Sequence, residues 1–163
     1  MDDGGEFDVY DDPLFWLGDS MMCNLCYRCT DPNVGFALSR DDSAVKCYLA
    51  DTGLLVSLAF SESEIATISA AGRELYFYTH YSEQKHRNDI EIDFLLSNDS
   101  KTNLKVTPVE VKSSKNYTTL SYAKFKNRFG RRIGSSMVGH PKAFSENESG
   151  VSLPTYMLFC ALE

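Results

Sequence analysis

Hydrophobic and polar positions alternate strictly along residues 89–94. Ile90, Ile92 and Phe94 occupy the even positions, and carboxylates occupy the odd ones. Because neighbouring side chains of a strand point to opposite faces, this alternation predicts a strand over residues 89–96 with an apolar face and an acidic face.

A second alternating segment follows after a turn rich in Ser, Asn and Asp at residues 97–103. Residues 106–112 predict a strand with Val109 and Val111 on one face and Glu110 and Lys112 on the other. If the two strands pair as a hairpin, Asp93 lies near Glu110 and Lys112.

Similar patterns predict elements along the rest of the chain. A helix over residues 120–129 places Tyr122, Phe125 and Phe129 on one face. The other predicted elements are a short helix at 14–17, strands at 21–30, 34–38, 45–49, 74–81 and 133–139, a polar turn at 39–43, helices at 53–58 and, weakly, 61–71, and an apolar strand or helix at 153–162.

Asp93, Glu110 and Lys112 form the candidate catalytic site. Carboxylates on adjacent strands suit a hard cation such as Mg²⁺, which would make Asp93 and Glu110 the metal ligands. A lysine on the same face can orient water or stabilise charge on a phosphate. The alternative is an ordinary solvated sheet face, because such faces are rich in Asp, Glu and Lys.

Charge is divided unevenly along a chain whose net charge is −7. Residues 1–64 hold thirteen acidic and three basic residues, whereas residues 101–142 hold ten basic residues and Glu110. This asymmetry predicts either a DNA-binding face or two segments that neutralise each other. The candidate nucleic-acid contacts are Lys115, Lys124, Lys126, Arg128, Arg131 and Arg132.

Cys23, Cys26 and Cys29 have the spacing of part of an iron–sulfur or zinc ligand set. A strand over these residues would instead place Cys26 on the face opposite the other two, as core packing requires. The absence of a long apolar run or a basic-then-apolar leader indicates no membrane association and a cytoplasmic protein.

Several motifs in a fixed order resemble the C-terminal region of bacterial AAA+ ATPases that carry the domain of unknown function numbered 4143, which is similar to PD-(D/E)xK nucleases. The motifs are TDPNVG at 30–35, KCYLADTGLL at 46–55, GRELYFY at 72–78, IEIDFL at 90–95, PVEVKS at 108–113, KF at 124–125 and LPTYM at 153–157. The resemblance covers roughly residues 14–162.

The resemblance implies an α/β (α+β) fold: a restriction-endonuclease-like core of a mixed sheet with flanking helices, preceded by a partial winged-helix-like segment. The corresponding divisions are an acidic leader at 1–13, the winged-helix-like segment at 14–60 and the nuclease-like domain at 61–163. The chain has no G-x-x-x-x-G-K-[ST] phosphate loop, so we expect a fragment without the ATPase domain. The resemblance implies a longer helix in place of residues 61–71, with the first acidic site residue of the relatives on it, and Glu64 is a candidate stand-in for that residue in the shortened segment.

Three functions are compatible with these features. The favoured one is an accessory nuclease-like domain of an AAA+ ATPase family protein, associated with nucleic acid and catalytically degenerate. The second is an active Mg²⁺-dependent nuclease that hydrolyses DNA phosphodiesters. The third is a truncated fragment without independent function, or a protein-interaction module.

Overall fold

The computed structural model describes residues 11–20, 22–49, 75–98, 105–147, 150–155 and 157. The strands and helices of this part of the chain form a mixed α+β fold with two mixed sheets. They are α1 Asp11–Asp19, β1 Cys23–Cys29, β2 Arg40–Leu49, β3 Leu75–Ser82, β4 Arg87–Ile92, β5 Phe94–Asn98, β6 Lys105–Val111, α2 Leu120–Phe129, β7 Ser136–His140, β8 Ser145–Asn147 and β9 Gly150–Pro154.

The first sheet has the strand order β2-β1-β3-β4. Its centre is a parallel pair, β1 with β3, and each outer strand is antiparallel to its neighbour. Strands from the predicted winged-helix-like segment and from the predicted nuclease-like domain therefore share one sheet. The predicted boundary at residue 60 lies outside the described residues.

The second sheet has the strand order β5-β6-β7-β9-β8. Strands β6, β7 and β9 run parallel, and β5 and β8 close the two edges in antiparallel fashion. Helix α2 connects β6 to β7 and buries Tyr122 and Phe125. Such a crossover is the usual connection between parallel strands, and it leaves the carboxyl ends of β6 and β7 side by side.

The alternating run at residues 89–96 forms two strands and not one. Ile90 and Ile92 pack in a first core cluster with Tyr78 and Phe125, whereas Phe94 packs in a second cluster with Val109. The predicted common face for Ile90, Ile92 and Phe94 is therefore wrong. A bend at residue 93 passes the chain from the first sheet to the second and reverses the alternation.

Two predictions upstream were also wrong. Residues 36–39 form a 3-10 turn after Gly35, whose φ of 92° suits glycine, and not the strand predicted at 34–38. Residues 39–43, predicted as a polar turn, lie largely in β2, where Asp41 pairs with Arg28 across the sheet. Opposite charges on adjacent strands stabilise this polar stretch as a strand.

Helix α2 spans the residues predicted for it, and strands lie in the predicted segments 21–30, 45–49, 74–81 and 106–112. The predicted helices at 53–58 and 61–71, with Glu64, fall outside the described residues. In β1, Cys29 belongs to the first core cluster and Cys26 to the second. Their thiols therefore lie on opposite faces of the sheet, as the strand interpretation predicted.

Candidate functional site

Asp93 lies at the bend where the chain passes from β4 to β5. Its Oδ2 accepts a hydrogen bond from the backbone N–H of Val111, at 2.8 Å. The pairing between β5 and β6 begins at Phe94 and Val109. The backbone N–H of Val111 lies beyond this pairing, and the Asp93 carboxylate is its hydrogen-bond acceptor. The bond holds the Asp93 carboxylate against the end of β6 that carries Glu110 and Lys112.

Glu110 is buried, with 2% of its surface exposed, although it sits near the end of β6. The ammonium nitrogen of Lys112 lies 2.8 Å from its Oε2. Among the described residues, the Lys112 ammonium group and the backbone N–H of Tyr122 are the donors that act on this carboxylate. Glu110 is thus a buried carboxylate paired with a lysine, and its burial costs free energy that the pair only partly offsets.

The pKa of Glu110 is raised above its ordinary value, and burial is the largest cause. The hydrogen-bonding and charge effects of Lys112 oppose the shift, and the charge of Asp93 adds to it. The backbone N–H of Tyr122, in the first turn of α2, also lowers the pKa. Lys112 and Asp93 therefore both act electrostatically on Glu110, with opposite signs.

The cluster lies at the carboxyl ends of two parallel strands. The register pairs Glu110 of β6 with Val138 of β7, and the backbone N–H of Lys112 donates to the carbonyl of Gly139 at 2.8 Å. In open α/β sheets, ligands bind outside the carboxyl ends of the strands. The position suits a ligand site better than it suits an ordinary solvated sheet face.

The predicted nucleic-acid contacts divide into two groups. Lys124 donates to the carbonyl of Asp89 at 2.9 Å, and Arg132 pairs with Asp31 at 2.7 Å. These two basic side chains therefore contact other parts of the same chain. This agrees with the alternative explanation of the charge asymmetry, in which the acidic and basic segments neutralise each other. The exposed members of the set are Lys115, Lys126, Arg128 and Arg131.

The Asp89 side chain does not lie on the strand face that the alternation predicted. The register between β3 and β4 skips this residue, so it forms a bulge. Its carboxylate lies 2.7 Å from Nδ1 of His80 and 3.9 Å from the Lys124 ammonium group. The hydrogen bond with His80 is the main reason that the pKa of Asp89 is lowered. Periodicity predicted Asp89 on the acidic face with Asp93, because a bulge leaves no signal in the alternation.

Carboxylate oxygens of Asp93 and Glu110 are the donors in this cluster that a Mg²⁺ ion would use. Among the described residues, no group of three or more His, Cys, Asp or Glu side chains is arranged to hold a metal ion. A Mg²⁺ ion bound by two carboxylates would complete its shell with water or phosphate oxygens, as Mg²⁺ commonly does. Two carboxylates are therefore the protein ligands that this cluster offers to a Mg²⁺ ion.

No helix in the described part of the chain is long and apolar enough to cross a membrane. Comparison with protein-family models, with curated proteins and with solved structures finds no match for this chain.

Proposed function

We propose that the chain is a nuclease-like module of the PD-(D/E)xK kind that binds DNA, with Asp93, Glu110 and Lys112 as its phosphodiester site. The observation that carries this proposal is the buried Glu110 carboxylate, 2.8 Å from the ammonium group of Lys112 at the end of β6. Asp93, fixed to the backbone of Val111, supplies the second carboxylate.

Each side chain has a role in hydrolysis. Asp93 and Glu110 would hold Mg²⁺, which supplies positive charge for the phosphate and a more acidic bound water. Lys112 balances the charge of Glu110 and, on the same side of the sheet, can orient the attacking water toward phosphorus. The bond from Val111 to Asp93 keeps the carboxylate oriented, so little reorganisation is needed when substrate binds.

The exposed cations at and after α2 would contact the DNA backbone. Phosphate contacts give affinity without sequence preference, and they make binding depend on salt because each contact releases counterions. Lys126 and Arg131 are exposed, whereas Lys124 and Arg132 already have protein partners. We therefore assign backbone contacts chiefly to the first pair, together with Lys115 and Arg128.

The double variant Lys126→Gln/Arg131→Gln is expected to bind duplex DNA about tenfold more weakly at low salt. If both side chains contact phosphates, the slope of log Kd against log salt falls by about two. Fluorescence anisotropy with a labelled duplex at several salt concentrations measures both quantities. Lys46→Gln is the matched control, because Lys46 lies in β2 and pairs with Glu91. An unchanged slope would contradict the assignment.

A non-catalytic accessory module of an AAA+ ATPase family protein is the second candidate function. The small number of candidate metal ligands favours this function. Asp93 and Glu110 supply two carboxylates, and the described residues place no third Asp, Glu or His side chain with them to hold a metal ion. In this case the fold and the basic residues bind DNA, and Glu110 and Lys112 are a structural ion pair. An ATPase domain would be the partner.

Cleavage of supercoiled plasmid DNA by the purified chain separates the two functions. The nuclease proposal predicts nicked and linear products at millimolar Mg²⁺ and none when EDTA replaces the metal, because the chemistry depends on the ion. DNA that is bound but stays intact over hours in Mg²⁺ would exclude the nuclease and leave the accessory module.

A further inference from the structure

His140 is a buried imidazole beside the proposed site. It is the last residue of β7 and has 1% of its surface exposed. The parallel register pairs Glu110 with Val138 and Val111 with Gly139. Continued by one residue, this register places His140 next to Lys112. Because side chains alternate along a strand, His140 lies on the same face of the sheet as Glu110.

One nitrogen of this imidazole has no hydrogen-bond partner among the described residues. Nδ1 accepts a hydrogen bond from the backbone N–H of Lys142 at 2.8 Å, so in the neutral ring Nε2 carries the proton. Nε2 is enclosed, and no described residue accepts a hydrogen bond from it. Burial and the charge of Lys142 lower the pKa of His140, which keeps the ring neutral. A buried donor without an acceptor is rare and calls for a ligand or a water.

Tyr117 covers the imidazole. The two rings stack with centroids 5.5 Å apart and planes inclined by 29°. Tyr117 is only partly buried, and the residues on both sides of it in the connection from β6 to α2 are exposed. The ammonium group of Lys142 lies 5.1 Å from the Tyr117 ring centroid. One face of the imidazole is thus covered by an aromatic side chain from a loop whose neighbouring residues are exposed, and a cation lies beside that aromatic ring.

We propose that Nε2–H of His140 donates a hydrogen bond to a phosphate oxygen bound next to Lys112, and that the connection from β6 to α2, which carries Tyr117, shifts to admit the phosphate. The inference rests on the proposed function, since the phosphate is the one that the Glu110–Lys112 pair would face. Lys142 adds positive charge at the same place. His140 is then a phosphate-binding residue that motif spacing does not reveal.

Two substitutions separate this role from a structural one. His140→Gln retains an N–H donor at a reach close to that of Nε2. His140→Asn retains an acceptor close to Nδ1 for the Lys142 backbone, but its N–H donors do not reach the Nε2 position. The expected result is that Gln binds inorganic phosphate within about twofold of wild type and Asn binds it about tenfold more weakly, since a hydrogen bond to a charged group is lost. If His140 serves only to accept from Lys142, Asn would bind phosphate as wild type does, and that result would overturn the inference.

A second measurement on the wild-type chain does not depend on the variants folding. The chain has three histidines, so side-chain ¹H–¹⁵N spectra resolve each imidazole, and through-bond correlation with the assigned backbone identifies the His140 signal. Inorganic phosphate is titrated in EDTA, so no metal contributes. The expected result is a saturable shift of the His140 Nε2 signal, with His80 unmoved because its Nδ1 is held by Asp89 on the β3–β4 pair. A His140 signal that does not move overturns the inference.

The same data keep the two proposals apart. Cleavage of DNA in Mg²⁺ with an unmoved His140 signal would overturn the role of His140 and leave the nuclease standing. A His140 shift in a chain that does not cleave would support the phosphate site and exclude the nuclease.

Discussion

The Asp93→Asn variant is expected to cleave DNA about a thousandfold more slowly than the wild-type chain in Mg²⁺. The substitution removes the negative charge that would hold the ion. A metal ion stabilises a phosphoryl transition state by several kcal/mol. Each 1.36 kcal/mol of lost stabilisation lowers the rate about tenfold. The amide oxygen of Asn can still accept the hydrogen bond from the backbone N–H of Val111. The junction between β4 and β5 therefore keeps its main contact, and the loss reports on the site.

Single-turnover cleavage of a labelled duplex measures this effect independently of product release. Glu91→Gln is the matched control, because Glu91 is an exposed acid of β4, two residues before Asp93, that pairs with Lys46. We expect the control to cleave at the wild-type rate. Equal rates for Asp93→Asn and wild type would remove Asp93 from the site, and any cleavage seen would come from other residues or from a contaminant.

The Lys112→Met variant is expected to lower the free energy of unfolding by about 3 kcal/mol at pH 8. Removing one partner of a buried ion pair leaves an uncompensated charge, which is more costly than losing an exposed pair. Glu110 is almost fully buried, and Met retains most of the apolar stem of Lys112. The loss therefore comes from the stranded carboxylate. Urea denaturation monitored by far-UV circular dichroism measures it.

The pH dependence of this loss has a definite sign. In the wild-type chain the pKa of Glu110 is raised above its ordinary value of 4.5, so the folded state holds the proton more tightly than the unfolded chain. The contribution of Glu110 to stability is then complete below the unfolded pKa and is lost as the pH rises through the folded pKa. Lys112 opposes the rise, so its removal raises the pKa of Glu110 further and extends this window upward.

Lys112→Met should thus be close to wild type at pH 4.5 and clearly destabilised at pH 8. The double variant Glu110→Gln/Lys112→Met should recover most of the stability at pH 8, because it removes the buried charge. A loss of the same size at both pH values, or no recovery in the double variant, would show that Lys112 stabilises the fold by packing and not through Glu110.

Part of the candidate site could be predicted from the sequence pattern. Glu110 and Lys112 are two residues apart in one strand, so their common face follows from the period of the strand alone, and the structure joins them in an ion pair. Pairing of the two predicted strands also placed Asp93 near Glu110 and Lys112, but it did not predict where Asp93 lies in the fold. The alternation at 89–94 predicts that Asp93 lies on a solvated strand face with the other acids, whereas in the structure Asp93 lies at the bend between the two sheets. The Mg²⁺ ion, the DNA partner and the ATPase partner stay predictions.

Local sequence determined the elements that have a strong period of their own. Helix α2 spans residues 120–129 as predicted, because its apolar face repeats at helical spacing and Gly130 follows it. Strand β6 and its pairing with the strand before it were likewise predicted from alternation and a polar segment, although the predicted strand at 89–96 is divided into β4 and β5. These features depend on neighbours within a few residues, so the chain specifies them without knowledge of the fold.

Tertiary structure alone decided which faces meet. The bulge at Asp89, the transfer of the chain between sheets at Asp93 and the burial of His140 beside the end of β6 each depend on residues far apart in sequence. Hydrophobic periodicity records whether a side chain is buried, but it does not record which partner buries it. The acids and bases along this chain could therefore be listed from its sequence, and their grouping into a site required the packing of two sheets against one helix.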